Sequence, residues 1–256
     1  MKDITRLLCM VLLSFLVVTG CSRRDILDDY PVSGVEVRLD WSGVTEKLPE
    51  GVRIIFYPKD EKGRKIDTYL SVTGGEVKVP SGHYAVVIYN YDTETVLIRG
   101  EESYETIQAY TNFCKLGIAG TEKMVWGPDP LYVVNIDDLD IQNSEETLIL
   151  KLKPKLVIRT YSFSIKVQGL SNVSNVIGSI GGMADHYFLG KAYAMCDDYP
   201  INIDLNVKAG KIEGVFTTFG LPEAIITRLE IKLPVMMNLM IIKVDNSVQE
   251  VKINIT

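Results

Sequence analysis

The sequence predicts an all-β protein made of two tandem β-sandwiches behind an N-terminal export segment, and three features lead there. Apolar and polar residues alternate with period two at many places along the chain and follow a helical period almost nowhere. Clusters of Gly, Pro, Asp and Lys recur between these runs as turns. Near the start, one apolar stretch stops abruptly at a cysteine followed by two arginines.

That stretch, Leu7 to Val18, stands behind Lys2 and Arg6. It is shorter than the roughly 20 apolar residues a membrane-crossing helix needs, so it reads as a signal and not a span. Val18-Thr19-Gly20-Cys21 resembles the lipobox of bacterial lipoproteins, with Val where Leu is commonest. The resemblance implies cleavage before Cys21 and acylation of that cysteine, so residues 1–20 are a lipoprotein signal peptide and Cys21 is the lipidation site. Each buried CH2 contributes about 0.8 kcal/mol and one acyl chain holds a protein only marginally, whereas the several chains of a bacterial lipoprotein make a lasting hold on the membrane. Residues 21–31 are charged, aperiodic and closed by Pro31, the composition of a tether. Asp25, Asp28 and Asp29 resemble, in diluted form, the acidic export signal of surface lipoproteins in Bacteroidota, which implies the outer membrane and its outer face.

The chain beyond the tether is long enough for one large or two ordinary domains. A net charge of −6 and the lack of a basic stripe argue against a nucleic-acid partner. Cys114 and Cys196 lie far from the signal, and buried thiols are expected there ahead of a bridge, although an exported protein could form one.

Val35, Val37, Leu39 and Trp41 alternate with Glu36, Arg38 and Asp40 to begin the strand series. Val52 to Pro58, His83 to Asn90 and Thr95 to Gly100 are continuous apolar runs and read as more deeply buried strands. Alternation returns at Tyr161, Phe163, Ile165 and Val167, at Ile201 to Val207, at Leu229, Ile231 and Leu233, and at Val251, Ile253 and Ile255. About seven strand candidates precede Pro154 and about six follow it, each set enough for a small sandwich. The boundary is therefore placed there, giving units 32–153 and 154–256 joined by a segment that is itself strand-like.

Within this series, Val79 to Asn90 resembles the hairpin of transthyretin-like sandwiches, in which a Pro and Gly turn feeds a Gly-x-Tyr strand. Tyr161 to Gly190, Ile212 to Gly220 and Met124 to Val133, taken with the lipobox, resemble the fimbrillin-related lipoproteins of Bacteroidales, which include anchor and accessory subunits of fimbriae. The resemblance implies a non-enzymatic, lipid-anchored surface subunit of a fimbria or adhesive fibre, with fimbrial subunits as partners joined by strand exchange. It also implies that an anchor keeps its first strand, because the lipid is attached ahead of it. The contact is then expected at the other end, where Val251, Ile253 and Ile255 form a strand that pairs within its own sheet or with a partner's edge.

The chemical inventory supports no catalytic residue, cofactor or metal. His83 and His186 are the only histidines, and neither has a second ligand at metal spacing in sequence. Nucleophile-elbow, Walker, His-Glu-x-x-His and dinucleotide patterns are missing. Cys196 stands beside Asp197 and Asp198, whose charge disfavours a thiolate. Asp137, Asp138 and Asp140 lack the spacing of a calcium loop and are expected in a solvated loop between domains. Trp126, in a stiff Gly-Pro-Asp-Pro context, is either a buried plug or an exposed contact residue; the usual burial of tryptophan favours the plug. An alternative function is surface carbohydrate binding for a glycan-uptake system. It requires coplanar exposed aromatics, drawn from Tyr89, Tyr91, Tyr104, Tyr110 and Trp126.

Overall fold

The computed structural model describes residues 32–45, 47–61, 63–114, 123–197, 199–208, 210–223 and 234–255. Cys21, with the signal and tether at 1–31, lies outside them, as does the strand expected at Leu229, Ile231 and Leu233. The described residues are all-β, with one 3-10 turn at Leu170–Asn172. The first strands are β1 (Val32–Leu39), β2 (Gly51–Pro58), β3 (Ile66–Ser71), β4 (Gly74–Pro80) and β5 (Gly82–Asn90). Next come β6 (Val96–Arg99), β7 (Gln108–Thr111), β8 (Phe113–Cys114), β9 (Met124–Val125), β10 (Tyr132–Ile141), β11 (Leu148–Leu152) and β12 (Lys155–Leu156). The remainder are β13 (Arg159–Lys166), β14 (Val173–Gly181), β15 (His186–Phe188), β16 (Tyr193–Met195), β17 (Ile201–Lys208), β18 (Lys211–Thr218), β19 (Met236–Lys243) and β20 (Val248–Asn254).

The first sheet runs β11-β1-β4-β3-β2-β5-β10-β12. Its two edge strands, β11 and β12, are joined by only Lys153 and Pro154, so the sheet must curl until its opposite edges meet. Inside the curl lie Val35, Ile54, Phe56, Val86, Ile88 and Ile141. Trp41 is also buried there, its indole N–H donating to Val72 O at 2.6 Å and its ring edge-on to Tyr132 at 5.3 Å.

A second core covers the outer face of β2 and β5, where Ile55, Tyr57, Ala85, Val87 and Tyr89 meet residues of a small sheet, β16-β15-β7-β6. These two strands are thus apolar on both faces, which is why their sequences run on without alternation. Arg53, the one charged residue of β2, is held at this core's margin by Asp67 (2.7 Å), Glu101 (2.8 Å) and the Tyr89 hydroxyl (2.8 Å). The two carboxylates keep its guanidinium protonated beyond its ordinary range.

The third group of strands, β13-β18-β17-β14-β19-β20, has one apolar face centred on Ile180, Ile201, Ile203, Phe216 and Leu239. β9 pairs with β17 and β8 with β9, so these two short strands join this sheet. The small sheet draws strands from both sides of Pro154: β7 pairs with β15 through Tyr110↔His186, Ala109↔Tyr187 and Gln108↔Phe188.

Two glycines take positive φ at strand ends. Gly82 has φ 149° at the start of β5, with Tyr84 buried beyond it, and Gly182 has φ 77° directly after β14, where a Cβ would lie 2.5 Å from Pro234 O. The acidic run is a correction. Asp137, Asp138 and Asp140 lie in β10, not in a loop, and the pairing with β5 slips by one residue between Ile136 and Leu139. This bulge lets Ile136, Leu139 and Ile141 all reach the first core, while the carboxylates stay outward. Tyr104 donates to Asp137 at 2.7 Å, and Lys59, with His83, holds the Asp138 carboxyl below its usual range.

Candidate functional site

Among the described residues, the outer edge of β20 and a cleft beside β15 combine accessible surface with defined geometry. β20 pairs along its length with β19, from Val248↔Ile242 to Asn254↔Met236. It is the last strand of its sheet, so its other edge has no partner strand among the described residues. Ile255 N donates to Val235 O at 3.0 Å, which extends the ladder by one pair. Alternation then gives 249, 251, 253 and 255 the inward N–H groups and directs those of 250 and 252 outward. Val251 and Ile253 are half-buried against the third core, whereas Ile255 and Val248 are exposed. The terminal strand thus pairs within its own sheet, and among the described residues no strand lies on its other edge.

The cleft, of about 100 Å³, lies where β6, β7, β8 and the β15–β16 hairpin converge. Arg99, Tyr110, Phe113 and Tyr199 line it together with Asp185, His186 and Asp197. Phe113 and Tyr199 meet edge to face at 5.0 Å near its mouth, and Arg99 stacks over Tyr110 at 4.7 Å. At its base, Asp185 accepts the Asp197 backbone N–H with both oxygens, at 3.2 and 3.0 Å, and closes the hairpin. His186 Nδ1 lies 2.6 Å from Asp185 Oδ1 and 3.9 Å from Asp197 Oδ2.

This cluster corrects the view of His186 as a histidine without neighbouring ligands. Asp185 is adjacent in sequence, but Asp197 arrives only because β15 and β16 form a hairpin. The signal was present in the apolar triplets flanking Leu189 to Ala192. They are too short to stand out by periodicity. His83 sits between Asp138 (3.4 Å) and Asp140 (3.8 Å), which approach different ring nitrogens on an exposed surface. Cys114 is buried, and no disulfide joins it to Cys196.

The tryptophan plug is a further correction, since Trp126 is 41% exposed. Its backbone is pinned instead, the N–H to Asn112 O (3.0 Å) and the carbonyl to Thr111 Oγ1 (2.7 Å), while Gly127 lies flat on Thr217. The ring is left on the outer side of that contact. Of the aromatics named for sugar stacking, Tyr89 and Tyr104 are buried and Tyr110 is half-buried. Tyr91 is exposed but stands perpendicular to Tyr69, at 88°.

Comparison with known proteins agrees with this architecture. The family model DUF5119, a domain of unknown function, matches residues 20–204. A candidate fimbrium anchoring subunit of Bacteroides ovatus, Fim4B, is 53% identical over 96% of this chain and 78% of its own length. A crystal structure of an adhesin candidate from Bacteroides ovatus ATCC 8483 superposes with a TM-score of 0.83 at 52% identity, covering 92% of this chain and 87% of the other. The fimbrial anchor protein Mfa2 of Porphyromonas gingivalis shares the fold at 14% identity and a TM-score of 0.55, over 88% and 82% of the two chains. With identity of this extent over nearly the whole sequence, the chain belongs to the DUF5119 family and to the family of the fimbrium anchoring subunit Fim4B.

Proposed function

We propose that this protein is a lipid-anchored subunit at the base of a fimbria on the outer face of the outer membrane. Acyl chains on Cys21 hold it there, residues 21–31 form the tether, and two transthyretin-like units, 32–153 and 154–256, which share the small sheet β16-β15-β7-β6, stand above the surface. The observation that carries this reading is the 53% identity to a candidate fimbrium anchoring subunit across nearly the entire chain. The lipobox at Val18 to Cys21 supplies the means of attachment. The outward edge of β20, in the segment of Val251, Ile253 and Ile255, supplies a place where a neighbouring subunit's extended strand can add to the sheet.

Two substitutions test the separate parts. Cys21→Ala abolishes incorporation of radiolabelled palmitate and moves the folded protein from the membrane fraction to the soluble one; a variant that stays membrane-bound beside an unlabelled wild type overturns the anchor. Lys252→Pro removes an outward N–H and no β19–β20 hydrogen bond. Capture of fibre subunits from cell extracts falls while the melting temperature changes by only a few degrees. Undiminished capture by the proline variant moves the contact away from β20, and no capture by the wild type sinks the fimbrial reading.

A further inference from the structure

We infer that Asp185, His186 and Asp197 form a binding site for a divalent transition ion of the zinc type. The two carboxylates and the imidazole each offer one ligand atom, and these atoms lie within 4.8 Å of one another. The fold brings them together independently of any ion. Asp185 immediately precedes β15 and Asp197 follows β16, and the Asp197 N–H bonds to the Asp185 carboxylate fix the two ends of the hairpin.

The imidazole points to a ligand more strongly than the acids do. The His186 side chain is only 5% exposed, yet it lines the cleft, and its Nδ1 faces both carboxylates, one of them buried like the ring itself. Phe188 packs against the ring at 5.7 Å and restricts its rotation. Zinc held at about 2.0–2.2 Å by nitrogen and oxygen donors sets its tetrahedral ligands roughly 3.4 Å apart. The Nδ1 distances of 2.6 Å to Asp185 and 3.9 Å to Asp197 bracket that spacing, and the three ligand atoms all lie within 4.8 Å of one another, so the side chains close around the ion by rotation about their own bonds. Coordination through Nδ1 takes the neutral imidazole, with its proton on Nε2. Water fills the fourth position from the cleft.

Charge and ligand type select the ion. Two carboxylates oppose one nearby cation, Arg99, which lies 3.5 Å from Asp197. Arg99 has other holds, Gln108 Oε1 at 3.0 Å and the Tyr110 ring, so the ion displaces it from Asp197 without leaving it unpaired. A buried imidazole donor disfavours calcium and magnesium, which take cages of oxygen. The bound ion staples the ends of the hairpin whose β15 pairs with β7, and so reinforces the sheet that draws on both halves of the chain.

The test uses the full chain in detergent, stripped with chelator, then titrated calorimetrically with zinc and followed by the absorption of its cobalt form. One ion binds per chain and raises the melting temperature. Asp197→Asn, at a half-exposed carboxylate, weakens binding by about tenfold or more while the metal-free melting temperature stays near that of the wild type. His83→Gln binds like the wild type. Binding no tighter than about 1 mM, unchanged affinity in Asp197→Asn, or thiolate charge-transfer bands in the cobalt form overturns the site.

Discussion

β5 and β17 are strands of nearly equal length, rich in Ile and Val, yet they occupy opposite situations. From Tyr84 to Asn90 every residue of β5 is buried, with Val86 and Ile88 in the first core and Val87 and Tyr89 in the second. β17 buries Ile201 and Ile203 and then opens, so that Leu205 is half-buried and Val207 is exposed. β2 and β5 of the first sheet lie between two apolar layers. The distal part of the sheet containing β17 closes over itself: Phe163 and Leu205 lie directly opposite Gly214 from either side and lean across it. Side chains that fold over a glycine cover a sheet face more cheaply than another layer of strands does, but they cover less of it.

The sharpest test of this contrast is a truncation in the doubly covered strand. Ile88 is 1% exposed and packed within the first core. Ile88→Ala destabilises the protein by about 2–5 kcal/mol, read as a lower denaturant midpoint with an unchanged slope. A loss under 1 kcal/mol breaks the claim that β5 is sealed on both sides.

Gly214→Ala has the next largest effect. A Cβ there would meet the Phe163 ring at 2.3 Å and a Leu205 methyl at 2.9 Å, so both side chains must lift. The cost is about 1–3 kcal/mol, a size that thermal unfolding reads as a shift of several degrees. A neutral Gly214→Ala would mean that the face is roomier than the lean of Phe163 and Leu205 indicates.

The same contrast explains what could be read from the sequence. Continuous runs marked β2 and β5 as buried strands, and alternation marked β1, β13, β17 and β20, because each pattern reports directly how many faces of a strand are covered. β10 escaped that rule. Its bulge at Asp137 and Asp138 shifts the parity of Leu139 and Ile141 against Val134 and Ile136, so a strand with one apolar face looked like an acidic loop. The small sheet escaped for another reason: β15 and β16 have three residues each, and β7 meets β15 across more than 70 residues of chain. Asp197 reaches His186 by that hairpin, so the cleft is hidden in the sequence, whereas the resemblance at Val18 to Cys21 rests on four adjacent residues.

The smallest effect is the most discriminating one. Leu205→Ala alone removes a half-buried side chain at the open part of the sheet and costs about 1 kcal/mol, well below Ile88→Ala. It also removes one of the two groups that a Cβ at Gly214 would strike. The double variant Gly214→Ala/Leu205→Ala is thus less damaged than the two single losses added together, by a coupling of about 0.5–1 kcal/mol. Phe163 still overlies residue 214 in that variant, so the relief is partial. Strict additivity in the cycle would show that Leu205 does not rest on Gly214 in solution. The distal face would then be an open apolar surface, and its cover would have to come from elsewhere.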